Sequence, residues 1–104
     1  MKEVSAFSVD DFAENEVRQL IVEGHAPIAI YNLAGEFFAT EDTCTHGEAS
    51  LAEGDIDGDE IVCPFHMGSF DIRTGEVCSA PCVSPLKTYK VRIDQNTVYV
   101  EVAQ

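Results

Sequence analysis

Apolar and polar positions along this chain change over with a short period from one end to the other. "EVSAF" (3–7) reads as a first strand, and "SVDDFAENE" (8–16) is polar and turn-like, with room for one helical turn. In "VRQLIVEG" (17–24), Val17, Gln19, Ile21 and Glu23 alternate with Arg18, Leu20 and Val22. "APIAIYNL" (26–33) is β-rich and follows a hairpin turn predicted at Gly24-His25. A second turn at 32–35 leads into "EFFAT" (36–40). Such β-branched and aromatic runs, punctuated by Gly and Asn, are hairpin signals.

The pattern then loosens. Residues 41–82 hold five of the seven glycines and all four cysteines. Only short strands fit there, around 55–57, 60–63 and 69–72. Strict alternation returns in "KTYKVRI" (87–93) and "TVYVEV" (97–102), joined by a turn at Asp94 to Asn96. No segment carries a long helical period. The expected architecture is all-β: a scaffold from 1–41 and 83–104, with a loop-rich insertion at 42–82. An insertion without a large core needs something else to hold it, and four metal ligands would supply that.

At 104 residues the chain fits one small domain, and its formal charge of −13 narrows its partners. Phosphate backbones and anionic membranes both attract basic surfaces, so neither is expected here. No apolar run approaches the roughly 20 residues of a membrane helix. "MKEVSAFSVDDF" has no signal-peptide core, which points to the cytoplasm. Thiols stay reduced there, so the cysteines read as metal ligands or free thiols before disulfides.

The chemistry lies in "CTHGEASLAEGDIDGDEIVCPFH" (44–66): Cys44-x-His46, sixteen residues, then Cys63-x-x-His66. Thiolate and imidazole suit zinc, copper and iron–sulfur clusters. A structural zinc site is one reading, although zinc fingers pair Cys with Cys and His with His. Here each pair is mixed. A Rieske [2Fe–2S] centre needs two Cys on one iron and two His on the other, so two loops that each give one Cys and one His can reach both irons.

On these residues the sequence resembles the Rieske family. It is most similar to the small Rieske ferredoxins of bacterial aromatic-ring-hydroxylating dioxygenases of the biphenyl and naphthalene types. "CTHGEASLAEGDIDGDEIVCPFHMGSFDIRTG" carries most of the match, and "LKTYKVRI" follows at the expected place. The resemblance implies that Cys44 and Cys63 bind one iron of a [2Fe–2S] cluster, and His46 and His66 the other. It implies a base domain of stacked antiparallel sheets with an inserted cluster-binding subdomain. It also implies a monomeric electron carrier, reduced by an NADH-dependent flavoprotein reductase and oxidised by a terminal oxygenase.

Respiratory Rieske proteins carry an extra Cys in each cluster loop, joined as a disulfide. The corresponding places here hold Ala49 and Phe65. Ser69 is the candidate hydroxyl donor to the cluster, with Met67 lengthening its loop by one residue. Few such donors and many nearby acids imply a potential on the order of −150 mV, the low end of the Rieske span.

Other residues take plainer readings. Glu41, Asp42, Glu48, Glu53, Asp55, Asp57, Asp59 and Glu60 stand with no basic residue among 41–60. They are either a solvated face or an acidic docking surface for a basic partner. His25 reads as a surface turn residue, and Cys78 and Cys82 as structural thiols. Ser79-Ala80-Pro81 resembles the proline-containing loop that covers a Rieske cluster. Phe65, Met67 and Phe70 are expected to limit water access. Gly47 and Gly68 would let the backbone approach the sulfides, and Pro64 would fix a turn. No nucleophile with a base, no phosphate loop and no nicotinamide fingerprint is present, so a carrier is expected, not a catalyst. Two alternatives remain open: a subunit permanently bound to an enzyme such as nitrite reductase, and a zinc-binding interaction module.

Overall fold

The strand-rich pattern folds as three antiparallel sheets in a computed structural model, which describes residues 2–45, 49–64, 68–79 and 84–102. The first sheet takes β1 (Lys2–Ser8), β10 (Val91–Asp94) and β11 (Thr97–Val102) in the order β1-β11-β10. The second takes β2 (Glu16–Leu20), β3 (Ile28–Leu33), β4 (Glu36–Glu41) and β9 (Thr88–Tyr89), in the order β2-β3-β4-β9. The third is ordered β5-β6-β7-β8, from β5 (Asp55–Asp57), β6 (Glu60–Val62), β7 (Ser69–Asp71) and β8 (Val77–Ser79). Among the described residues helix is confined to two single 3₁₀ turns, Val9–Asp11 and Leu51–Glu53.

β3 organises the molecule because both of its faces are buried. Ile28 and Ile30 enter one core with Phe12, Ala39, Val98, Val100 and Val102. Ala29, Tyr31 and Leu33 enter the other, with Leu51, Ile61, Phe70, Ile72 and Leu86. A strand covered on both sides reads as a near-continuous apolar run, as 28–33 does apart from Asn32. β11 has one buried face, so it keeps the expected alternation: Val98, Val100 and Val102 point inward.

Turn chemistry sets the registers. Ala34 (φ 53°) and Gly35 (φ 95°) close the β3–β4 hairpin, where Leu33 faces Glu36. Gln95 (φ 49°) and Asn96 (φ 64°) do the same between β10 and β11. Two positive φ values in succession match the right-handed twist of the flanking strands.

Four expectations need correction. The turn expected at Gly24-His25 belongs to a longer connection, because β2 ends at Leu20 and β3 starts at Ile28. The strand expected at 87–93 is broken at Lys90, with β9 pairing with β4 and β10 with β11. The alternation runs through the break because a chain stepping from one sheet to the next need not change its inward and outward rhythm. β8 was not expected at all. Finally, the segment expected to have no large core shares one with the scaffold, since Ile61, Phe70 and Ile72 pack in one cluster with β3 residues. Arg73 adds a polar tie from the third sheet to the second. Its guanidinium lies 4.9 Å over the Phe38 ring and reaches Glu36 at 3.4 Å and Asp59 at 3.6 Å.

Candidate metal centre

The two cysteine motifs occupy matching places. Cys44 opens a loop whose base is the Thr43–Ser50 bridge, and its N–H donates to the Ala49 carbonyl at 2.9 Å. Cys63 opens a loop whose base is the Val62–Ser69 pair, and its N–H donates to the Gly68 carbonyl at 2.7 Å. Each loop is six residues long and closes onto the fifth residue after its cysteine. Both side chains are buried, Cys44 at 2 % exposure and Cys63 at 0 %, within one apolar cluster. Buried thiols at the heads of two like loops suit soft-metal ligation. His46 and His66 lie in these same loops by sequence, but outside the described residues, as do Gly47, Phe65 and Met67. Among the described residues, no group of three or more His, Cys, Asp or Glu is placed to hold a metal ion.

The first loop rests on Asp42, which is 1 % exposed. Its Oδ2 accepts from Gln19 Nε2 at 2.6 Å and Ser50 Oγ at 2.7 Å, and its Oδ1 accepts from the Ala52 N–H at 2.9 Å. Its own carbonyl accepts from the Leu51 N–H at 2.7 Å. A carboxylate supplied with this many donors can stay buried without a cation. Asp42 therefore folds the loop and leaves the acidic face. Next to it Tyr31 is fully buried, and its hydroxyl lies 2.8 Å from Thr40 Oγ1. Thr40 commits its hydrogen to the Glu41 carbonyl, so Tyr31 is the donor. Burial drives the Tyr31 phenol above its ordinary 10.0, and the charge of Asp42 pushes the same way.

The other acids also sort themselves. Glu60 accepts from Ser69 Oγ at 2.6 Å, Glu41 from the Lys87 N–H at 2.7 Å, and Asp59 pairs with Arg73. Glu53, Asp55 and Asp57 face solvent. Asp55 and Asp57 flank Ile56 on β5, an edge strand, where charge also discourages pairing with another chain. Ser69 departs from its expected role. Its hydrogen goes to Glu60, so it is not left to donate to a cluster sulfur.

Cys78 departs too: it is exposed on β8, not buried as a structural thiol. Local desolvation, then the charges of Glu60, Asp71 and Glu76, push its thiol above the ordinary 9.0. Cys82, Ala80 and Pro81 lie outside the described residues. Phe70 is fully buried in the cluster that holds both ligand cysteines, as expected of a residue that excludes water. His25 is half-buried, its ring set edge-on to Tyr89 at 5.6 Å.

Comparison with known proteins agrees with this geometry. The model of the Rieske [2Fe-2S] domain matches residues 2–90. The ferredoxin component of the p-cumate 2,3-dioxygenase system of Pseudomonas putida is 48% identical over 101 residues, spanning 95% of this chain and 85% of the relative. The biphenyl dioxygenase ferredoxin subunit of Pseudomonas sp. (strain KKS102) is 47% identical over 100 residues, 95% of this chain and 91% of its own. Among solved structures, the complex of reduced oxygenase and oxidized ferredoxin in carbazole 1,9a-dioxygenase contains a chain with a TM-score of 0.92. That chain is 44% identical, and the match covers 94% of this chain and 91% of that one.

Proposed function

This chain belongs to the Rieske [2Fe–2S] domain family, alongside the ferredoxin components of dioxygenase systems, and we propose that it carries single electrons to a terminal aromatic-ring-hydroxylating oxygenase. Its donor would be an NADH-dependent flavoprotein reductase. The carbazole dioxygenase ferredoxin, a relative in sequence and fold, is seen in complex with its oxygenase, which supports that half of the reading. A ferredoxin that meets two partners in turn must dock transiently, which favours a free carrier over a permanently bound subunit.

The observation that carries the reading is the pair of matched loops, each opening on a buried cysteine. Cys44 and Cys63 would hold one iron, and His46 and His66 the other. Residues 42–82 would form the cluster-binding subdomain, with 1–41 and 83–104 as its base. When bound, the cluster supplies one reversible electron. The chain's part is to keep water away with Phe70 and Leu51 and to fix the first ligand loop through Asp42. Ser69 gives its hydrogen to Glu60, so one expected donor to cluster sulfur is missing. That supports a potential at the low end, on the order of −150 mV. Glu53, Asp55 and Asp57 would attract a basic partner, so transfer should slow as salt rises.

The test is a low-temperature EPR spectrum of the dithionite-reduced protein. A rhombic signal with average g below that of all-cysteine clusters is the expected result, and it should be lost in His46→Ala and in His66→Ala. A colourless protein with bound zinc and no signal would end the electron-carrier reading.

A further inference from the structure

Among the described residues two large apolar side chains stand in solvent, Ile21 at 67 % exposure and Ile93 at 47 %. An isolated exposed aliphatic is ordinary on a protein surface, and Ile93, on the edge strand β10, is one. Ile21 differs in its place. It follows β2, whose last residue, Leu20, pairs with Ile28, and Ile28 pairs in turn with Glu41 at the end of β4. That is the end of the second sheet from which the first cysteine loop rises. The strand is tied to the loop there. Gln19 donates to Asp42 at 2.6 Å, and the Leu51–Glu53 turn packs against β2. Leu20 and Val22 turn into the core on either side of Ile21, so its neighbours hold its side chain outward. Two exposed acids flank it, Glu23 two residues on and Glu53 on the turn packed against β2. Neither 19–27 nor 41–60 contains a lysine or arginine.

We propose that Ile21, rimmed by Glu23 and Glu53, is the apolar centre of a docking surface on the flank of the first cysteine loop, fitted to a redox partner whose own contact face is apolar at its centre and ringed by lysines or arginines. The inference rests on the Rieske reading of that loop and adds to it a contact that salt does not screen. An interface that is apolar within and charged at its rim uses the two parts differently. The acids speed encounter and lose their effect as ions screen them. The aliphatic side chain adds nothing to long-range attraction, but it holds the pair together once they touch, at low and high ionic strength alike.

Cytochrome c is the probe, a basic protein with an exposed haem edge. The cluster-loaded protein is reduced with dithionite, freed of the excess and mixed with ferric cytochrome c. One electron passes to the haem iron, which becomes ferrous, and no bond is made or broken. The second-order rate is read at low and at high salt for wild type, Ile21→Ser, Ile93→Ser and the double variant Glu23→Gln with Glu53→Gln. At high salt most encounters part before transfer, so the rate follows affinity. Ile21→Ser should then be about three- to tenfold slower, the factor for burying part of one aliphatic side chain. Ile93→Ser should match wild type throughout. The double Glu variant should be slower only at low salt and should converge on wild type as salt rises. An Ile21→Ser protein as fast as wild type at high salt, or an Ile93→Ser protein slowed as much, would overturn the proposal. So would a double Glu variant with the wild-type salt slope. A wild-type dimer in sedimentation that Ile21→Ser turns into monomer would give the face to a second copy of this chain and overturn it too. Failure of the premise looks different, because the wild-type protein would then show no rhombic signal and reduce no cytochrome c.

Discussion

Replacing Asp42 should show how the first ligand loop is held. Its carboxylate accepts three hydrogen bonds from Gln19, Ser50 and the Ala52 N–H at 2.6–2.9 Å, and it is 1 % exposed. Asp42→Ala leaves the Ala52 N–H and the Ser50 hydroxyl without their acceptor. An orphaned buried donor costs about 1–3 kcal/mol, so the variant should lose about 3 kcal/mol in total. Asp42→Asn should be much milder. Its amide oxygen can keep the Ala52 N–H while its NH₂ donates to Ser50 and to a Gln19 turned about its amide, at a cost of about 1 kcal/mol. Urea unfolding of the cluster-loaded protein, followed by far-UV circular dichroism, reads the difference. With a slope of about 1.5 kcal/mol/M the midpoint should fall by about 2 M for Ala and well under 1 M for Asn. Equal shifts for the two variants, or an Ala midpoint close to wild type, would refute the account of Asp42 as the buried acceptor beneath the loop.

Tyr31→Phe removes one hydrogen bond but orphans no donor, since Thr40 still donates to Glu41, so at neutral pH it should cost only about 1 kcal/mol. The raised Tyr31 phenol gives stability that is full below its ordinary 10.0 and lost as pH climbs from there towards the folded value. Alkaline denaturation should accordingly be shallower in Tyr31→Phe, and an identical pH profile would contradict this. At the acid end, the Arg92 hydrogen bonds hold Glu3 below its ordinary 4.5, with the Arg92 charge adding a smaller effect. The stability gap between wild type and Glu3→Gln should be full above about pH 4.5 and should close as pH falls through the lowered value, a sign that acid titration of both proteins checks. Gly75→Ala should cost about 2 kcal/mol or more, because Gly75 has φ 80° and a Cβ there would run into the Leu86 carbonyl; thermal unfolding no different from wild type would count against that packing.

What was legible in the sequence depended on how local its cause was. The alternation of 97–102 follows from which face that strand buries, and the β-rich run of 26–33 was legible as a strand, which stands at Ile28–Leu33. The Cys44 and Cys63 spacing was legible because ligand chemistry restricts residue types, and both thiols are buried in like loops. Asp42 was not legible as a structural acid. Among so many neighbouring acids, nothing local separates the one whose partners stand 23 residues before it, at Gln19, and 8 and 10 after, at Ser50 and Ala52. Ser69 was assigned to a cluster sulfur because its competitor, Glu60, sits on another strand. β8 was hidden by a sequence whose three residues alternate too briefly to announce a strand.

The pairing of β1 with β11 sets Lys2 opposite Val102, so the first sheet joins strands from opposite ends of the chain. On the ribosome β1 must wait until residues 97–102 have been made before it can meet β11, its neighbour in that sheet. β3, β4 and the third sheet can form before it. Contacts this distant in sequence slow folding. The order of emergence therefore gives the cell an interval in which both cysteine loops exist but the scaffold is still open. Iron and sulfide delivered then would meet a yielding chain, and the arrival of β11 would close the structure around what had been delivered.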